Sequence, residues 1–385
     1  MTRVLFVSNG HGEQAIAARI ASDLAPLADV SVDHLCLVGD DIATPGALQP
    51  VGPRRSLPSG GLIAMGNVRN LWRDLRGGLL AHTLAQLRFL HRVRARYDAA
   101  VAVGDVFALW MTRRARASKT VFVGTAKSVY VAPYGRVEMR IMRTADAIFV
   151  RDEPTARYLN EHAVPARSPG NVIVDLFARS CESGGEALLG NVVAIFPGSR
   201  QSAYDDAAFA CAIVRDALAL QPALRASLSI APGLDAQHFA QVLQRDGWDV
   251  RLMSAEHVPF VLALGERPIV TAWTGSPAAL LEQATVVLGQ AGTANEAAAA
   301  RGIPIAAFER RGATADSWYR RRQSGLLDGA LQILGGCTTD VAQKLVALLA
   351  DEERRVRMGA IGRERMGPPG GARAIAACIR ELLPC

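Results

Sequence analysis

The chain has 385 residues, half of them apolar and 21% charged, with a formal net charge of +7. That leaves room for two or three domains with sizeable cores. No apolar run approaches the ~20 residues needed to span a bilayer. The six cysteines are scattered without a CxxC pair, which excludes a zinc framework and a disulfide scaffold and suits a reducing cytosol. The charge is uneven: residues 1–178 carry 22 Lys+Arg against 15 Asp+Glu, and the remainder carry 21 of each. A basic first half points to an anionic partner, nucleic acid or a membrane surface. Few aromatics lie among the arginines and no nucleic-acid module is recognisable, so nucleic acid ranks last.

Strands alternate with helices throughout, which predicts α/β layers and parallel sheets. Thr2–Ser8 reads as a first buried strand, not a secretion leader. Asn9-Gly10-His11-Gly12-Glu13 follows, then a helix from about Gln14 to Leu27. The turn lies at a strand's carboxyl end, where open α/β sheets place ligands. Asn9, Gly10 and Gly12 permit a close substrate approach. His11 and Glu13 form a polar pair able to do acid–base work. An ordinary turn with a helix-dipole glutamate and an exposed histidine is the simpler alternative.

Residues 39–67 are rich in Gly and Pro and read as a long surface loop. Residues 69–97 carry seven arginines against one aspartate, with Trp72, Leu75, Leu80, Leu84, Leu87, Leu90 and Val93 giving a helical apolar stripe. Such a segment commonly packs on a sheet with its arginines outward. Its basic end and the preceding loop also suit an anionic membrane. Ala99–Gly104 is a buried strand delivering Asp105, either a general base or the N-cap of the next helix. Lys119–Gly124 is another strand, leading to Lys127, which can meet an anion or simply be solvated. After a strand at Asp146–Val150, Arg151-Asp152-Glu153-Pro154 gives an acidic cap with proline in the first helical turn.

Ser168-Pro-Gly-Asn171 and the polar stretch 179–190 read as marking an inter-domain linker. Asn191–Phe196 restarts with a strand ending in Pro197-Gly198-Ser199-Arg200, whose hydroxyl and guanidinium suit a diphosphate. Helices at 205–220 and 234–245 and strands at 228–231, 248–252 and 268–273 continue a second α/β unit. Val286–Leu288 is an apolar run bounded by glycine, hence a strand buried on both faces. Gly289–Gly292 make a tight loop, and an alanine-rich helix runs from Thr293 to Arg301, stopped by Gly302 and Pro304. Free amides at that helix start would favour a phosphate, although Thr293-Ala-Asn-Glu296 can also close on itself as a capping box. Ala313–Arg322 holds Trp318, Tyr319 and three arginines, and 339–364 and 371–383 read as helices.

Six motifs in this order resemble a glycosyltransferase of GT-B type, more narrowly the lipid-A-disaccharide synthase family and its related branch. They are Ser8-Asn-Gly-His-Gly-Glu13, Gly124-Thr-Ala-Lys-Ser128, Arg151-Asp-Glu153, Gly170-Asn171, Pro197-Gly-Ser-Arg200 and Gly292-Thr-Ala-Asn-Glu296, spanning about residues 4–310. The resemblance implies two Rossmann-like, doubly wound parallel-sheet domains facing across a cleft. The acceptor side would occupy 1–178 and the nucleotide-sugar side 179–365, with a helix at 366–385 able to cross back. It also implies diphosphate binding by Gly292, Thr293 and Ala294, ribose contact by Glu296, and nucleotide contact by Ser199 and Arg200. Asp105 falls near the family's base, with His11 and Glu13 as rivals. Asn9, Gly10, Gly12 and Lys127 fall on the acceptor side.

The first loop departs from the Gly-Glu-x-Ser-Gly-Asp type of the true synthases, so the resemblance does not carry their acylated-glucosamine substrates over. The implied reaction moves a sugar, of the N-acetylglucosamine type, from UDP to a lipid or membrane-associated acceptor. No Asp-x-Asp motif is visible, so no metal and no cofactor are expected beyond the UDP-sugar donor. Helix amides and an arginine would stabilise the leaving group, and domain closure would exclude water. A cytoplasmic protein, peripheral on the inner face of the membrane, is the matching location. The alternatives are a UDP-sugar 2-epimerase and a non-catalytic protein of the same shape that binds nucleotide sugar or membrane.

Overall fold

Two sheets carry the structure, and their central strands are short apolar runs buried on both faces. The computed structural model describes residues 2–38, 48–55, 76–177, 192–310 and 316–384, without the side chains of His11 and residues 316–319. The linker at 179–190, most of the loop at 39–67, and Trp72 and Leu75 lie outside the described residues. The chain divides into two compact units, one of Met1–Leu176 with Pro368–Cys385 and one of Phe177–Gly367. Ser168-Pro-Gly-Asn171 therefore lies inside the first unit and does not mark the linker.

The first unit runs β1 (Thr2–Ser8), α1 (His11–Leu24), β2 (Val30–Cys36), β3 (Gln49–Pro50), α2 (Leu79–Arg92), β4 (Ala99–Gly104) and α3 (Val106–Thr112). It continues with β5 (Lys119–Gly124), α4 (Arg136–Met142), β6 (Ala147–Val150), α5 (Glu153–Glu161), β7 (Ala166–Arg167) and α6 (Val172–Leu176). Its strands lie in the order β3-β2-β1-β4-β5-β6-β7, and every neighbouring pair is parallel. Val4 and Phe6 face a core shared with Ile16, Ile20 and Leu24 of α1. Leu5 and Val7 face the opposite core with Leu35, Leu90 and Met111. This two-sided burial is why β1 reads as a continuous apolar run.

The second unit runs β8 (Val192–Phe196), α7 (Ala203–Leu218), β9 (Arg225–Ser229), α8 (Ala236–Arg245), β10 (Asp249–Ala255), β11 (Val258–Leu264), β12 (Arg267–Trp273) and α9 (Pro277–Gln283). Then come β13 (Val286–Gly289), α10 (Gly292–Arg301), β14 (Ile305–Phe308), α11 (Asp316–Leu327), β15 (Leu331–Leu334), α12 (Thr338–Ala350) and α13 (Glu352–Met366). The strand order is β10-β11-β12-β9-β8-β13-β14-β15. Six strands are parallel, while β10 and β11 add an antiparallel edge. That edge departs from a purely parallel expectation. Pro259 hides β11 in the sequence, and a proline near a strand's start costs the ladder little.

The segment 339–364 is two helices, because the Asp351 side chain accepts from Arg354 N (2.9 Å) and starts α13 anew. The last helix, α14 (Gly371–Leu382), belongs to the first unit. Ala372, Ile375, Ala376 and Ile379 join the α1 side of its core. Asp175 of α6 fixes its start by accepting from Gly370 N (2.6 Å) and Ala372 N (2.8 Å).

Candidate functional site

In each sheet the strand order reverses once. Ligands of open α/β sheets bind outside the carboxyl ends of the strands at that point. In the first unit the chain goes from β1 outward through β2, then returns to place β4 on the other side of β1. The two loops at this reversal carry Asn9 and Asp105. The Asn9 amide donates to the Asp105 carboxylate, and the Asn9 Oδ1 is buried without a partner. Gly104, at φ +133°, makes that approach possible, since a Cβ there would fall 1.9 Å from Asn9 Oδ1. The Glu13 stem lies 3.3 Å from the same point, and its carboxylate lies 2.8 Å from where a Cβ on Gly10 would sit. Asn9, Glu13 and Asp105 thus converge.

Of the two sequence readings of Asp105, the N-cap is formed: its side chain starts α3, accepting from Ala108 N (3.0 Å). Burial pushes its carboxyl above the ordinary aspartate value, opposed by hydrogen bonds from Ala108, Phe107 and Asn9 and reinforced by the charge of Glu138. A half-buried carboxyl of raised pKa at a switch point is a group suited to proton exchange. Beneath it, Ser8 Oγ lies 2.9 Å from His34 Nε2. Burial, with Arg54 nearby, lowers His34 to about 4, so this imidazole is neutral at pH 7.

Lys127 is not simply solvated. It bonds Glu138 Oε2 (2.7 Å), which also accepts from Gly135 N (2.8 Å). Its charge is therefore answered within the unit. Asp152 caps α5 through Thr155 N (2.9 Å), with Pro154 in the first turn, as the sequence anticipates. Gly12 lies in the first turn of α1 beside His11, whose side chain lies outside the described residues.

The second reversal falls between β8 and β13. Their end loops are tied directly, Gln290 N donating to Phe196 O (2.8 Å). Ser199 and Arg200 are exposed just beyond β8, after a left-handed Gly198 (φ +110°). On the other side α10 begins at Gly292 after N-cap Ala291, and no side chain caps it. The capping box that the sequence allows is therefore not formed. Ala291 holds the extended cap conformation, and Thr293 already lies inside the first turn, where its hydroxyl cannot reach forward to the N3 amide. The helix after β8, α7, likewise has no side-chain cap. By contrast Asp235 caps α8 and Ser276 caps α9. Among the described residues, neither helix start that flanks this switch point has a side-chain cap, and first-turn amides left so favour an anion.

Gly292 and Thr293 form that first turn, Ala294 is buried behind them, and Glu296 is buried one turn in at 7% exposure. Gly289 lets Asn295 pack over the loop, since a Cβ there would lie 1.8 Å from Asn295 Oδ1. Asn295 Nδ2 bonds Gly289 O (3.3 Å) and Gln323 Oε1 (3.0 Å). Gln290 Nε2 donates to Phe308 O (2.8 Å), while its Oε1 accepts from Arg320 Nη1 (3.0 Å). Gln290 and Arg320 lie outside the motifs, and Asn295 lies inside one but is given no role there. For Arg320 the usable signal is its three-residue spacing from Gln323, one turn apart on a helix face.

No family model matches the sequence, and no curated protein matches it significantly. Solved structures do. S. aureus MnaA in a co-structure with UDP superposes with a TM-score of 0.61 at 11% identity, covering 99% of this chain and 96% of that one. UDP-GlcNAc 2-epimerase from Neisseria meningitidis, bound to UDP-GlcNAc, gives 0.54 at 13%, covering 99% of each. The calicheamicin glycosyltransferase CalG4 gives 0.56 at 16%, covering 99% and 98%. The chain has the GT-B fold, with two parallel-sheet α/β domains. At these identities the likeness is one of fold.

Proposed function

We propose that this chain is a UDP-sugar-using enzyme, and more finely a glycosyltransferase that moves a sugar of the N-acetylglucosamine type onto a lipid or membrane-associated acceptor. The observation that carries the nucleotide half is the pair of uncapped helix starts flanking the β8/β13 switch point. The solved structures of like fold include proteins captured with UDP and UDP-GlcNAc. In this reading Gly292, Thr293 and Ala294 receive the diphosphate, Glu296 the ribose, and Ser199 and Arg200 lie over the nucleotide. Asp105, oriented by Asn9, removes the acceptor's proton, with Glu13 and His11 as its rivals.

A lipid acceptor is supported by α2. Leu80 and Leu84 on its surface are 65% and 53% exposed, followed by a shallow concavity lined by Leu84, Leu87, Arg88, His91 and Arg92. Apolar residues beside a basic helix end match an anionic membrane interface. A second reading, UDP-sugar 2-epimerase, is favoured by the epimerase structures of like fold and by two carboxylates, Glu13 and Asp105, converging at one switch point.

The test is a thermal-shift titration with UDP, UDP-GlcNAc, UDP-glucose, GDP, ADP and NAD, followed by product analysis. A ligand that binds only the native state raises Tm by mass action. UDP is expected to raise it in the wild type and not in Glu296→Ala. Release of UDP that requires an added acceptor supports transfer; conversion of the sugar alone supports epimerisation. No shift with any nucleotide would overturn both.

A further inference from the structure

We propose that Arg320 is the cationic partner of the diphosphate at the start of α10, delivered by α11 and aimed through Gln290. The proposal rests on the nucleotide reading above and assigns it a residue that none of the motifs contains.

Arg320 is 6% exposed. Among the described residues its one hydrogen bond is to a neutral acceptor, Nη1 to Gln290 Oε1 at 3.0 Å. Its Nε is buried with no partner. Among the described residues no carboxylate lies within ion-pair distance of it. Arg310, on the loop after β14, shows the ordinary solution: it bonds Asp206 Oδ1 at 2.7 Å and lies 3.6 Å from Asp205. Leaving a guanidinium buried and unanswered costs several kcal/mol.

Its location adds to the cost. Gln290 precedes by two residues the uncapped start of α10, where the helix dipole is also positive. Two positive ends beside each other, one of them buried, form a stable arrangement once an anion sits between them. Three anchors fix the geometry in advance: Gln290 to Phe308 O, Arg320 to Gln290, and Gln323 to Asn295. A planar guanidinium presents forked donors to a phosphate, and here Nε and Nη2 remain to do so.

The experiment is calorimetric titration of wild type, Arg320→Met and Arg320→Lys with UDP, uridine and inorganic pyrophosphate, with Tm of each apo protein recorded. Arg320→Met is expected to weaken UDP and pyrophosphate by about ten- to a hundredfold, the loss of charge-assisted hydrogen bonds. Uridine affinity should stay unchanged and the apo Tm should not fall, because an unanswered buried charge has been removed. Arg320→Lys should lie between, since it keeps the charge and loses the fork, and it serves if the Met variant does not fold.

UDP affinity unchanged in both variants would overturn the proposal while leaving the nucleotide reading intact. An equal loss for all three probes with a lowered apo Tm would reduce Arg320 to a structural residue. Arg320-dependent pyrophosphate binding without any UDP binding would keep the proposal and sink the nucleotide reading. Failure of the wild type to bind either anion would sink both.

Discussion

The two switch points are built alike and charged oppositely. At each, a glycine ending a strand accommodates an asparagine side chain whose Oδ1 is buried without a partner: Gly104 with Asn9, and Gly289 with Asn295. At β1/β4 the ionisable groups are acidic and largely answered from within. There Asp105 caps α3 and accepts from the Asn9 amide. Uncapped helix starts occur at both, α1 included, but at β8/β13 a buried arginine has, among the described residues, no carboxylate partner. One fold element repeated with two charge balances suits the proposed division between proton handling and anion holding.

The largest expected effect falls on the acidic side. Asp105→Asn keeps the shape and removes the proposed base, so turnover should drop by ~10²–10⁴ while UDP binding stays unchanged. In the wild type the acid limb of kcat/KM should lie above the ordinary aspartate range, because burial raises the Asp105 pKa and only the ionised form accepts a proton. If that limb survives in Asp105→Asn, the base is Glu13 or His11 and the division of labour moves within the same loop.

Next comes the glycine of the other switch point. Gly289→Ala puts a Cβ onto Asn295 Oδ1, and overpacking of this kind costs ~1–3 kcal/mol. UDP affinity and stability should fall together, read by calorimetry and denaturant unfolding. An unaffected variant would show that the Asn295 latch does not shape the loop.

The smallest effect is a pH slope. His34 titrates near 4 in the folded protein, against 6.5 when unperturbed. The unfolded chain therefore binds more protons between those values. Stability from this site is complete above about pH 6.5 and is lost as pH falls through about 4. In His34→Gln the slope of Tm against pH across that window should flatten; an unchanged slope would mean that His34 is not held neutral.

Strand-end loops are the most legible parts of this sequence. Val4–Ser8, Ala99–Gly104, Lys119–Gly124 and Val286–Gly289 are apolar runs bounded by glycine, and each forms a central parallel strand. Val30–Cys36 carries no such signal, because Asp33 and His34 interrupt it. Their polarity is answered only in three dimensions, Asp33 by Tyr97 (2.7 Å) and Arg3 (2.9 Å), His34 by Ser8. The uncapped start of α10 was hidden for a related reason. Thr293 and Glu296 have capping-box spacing, and only backbone angles decide which residue is the N-cap. Arg320 stands in a visible arginine cluster, but its burial depends on where α11 docks.

The return of the chain at Pro368 sets the order of biosynthesis. The first unit lacks α14, and with it Ile375 and Ile379 of its core, until all of Phe177–Gly367 has been made. At ordinary ribosomal speeds that delay is roughly 10 to 40 s. During it the α1 surface that α14 will cover stays open, while the later unit has all of its own strands to fold with. The nascent protein thus acquires its second unit as a finished body first, and its first unit is sealed last.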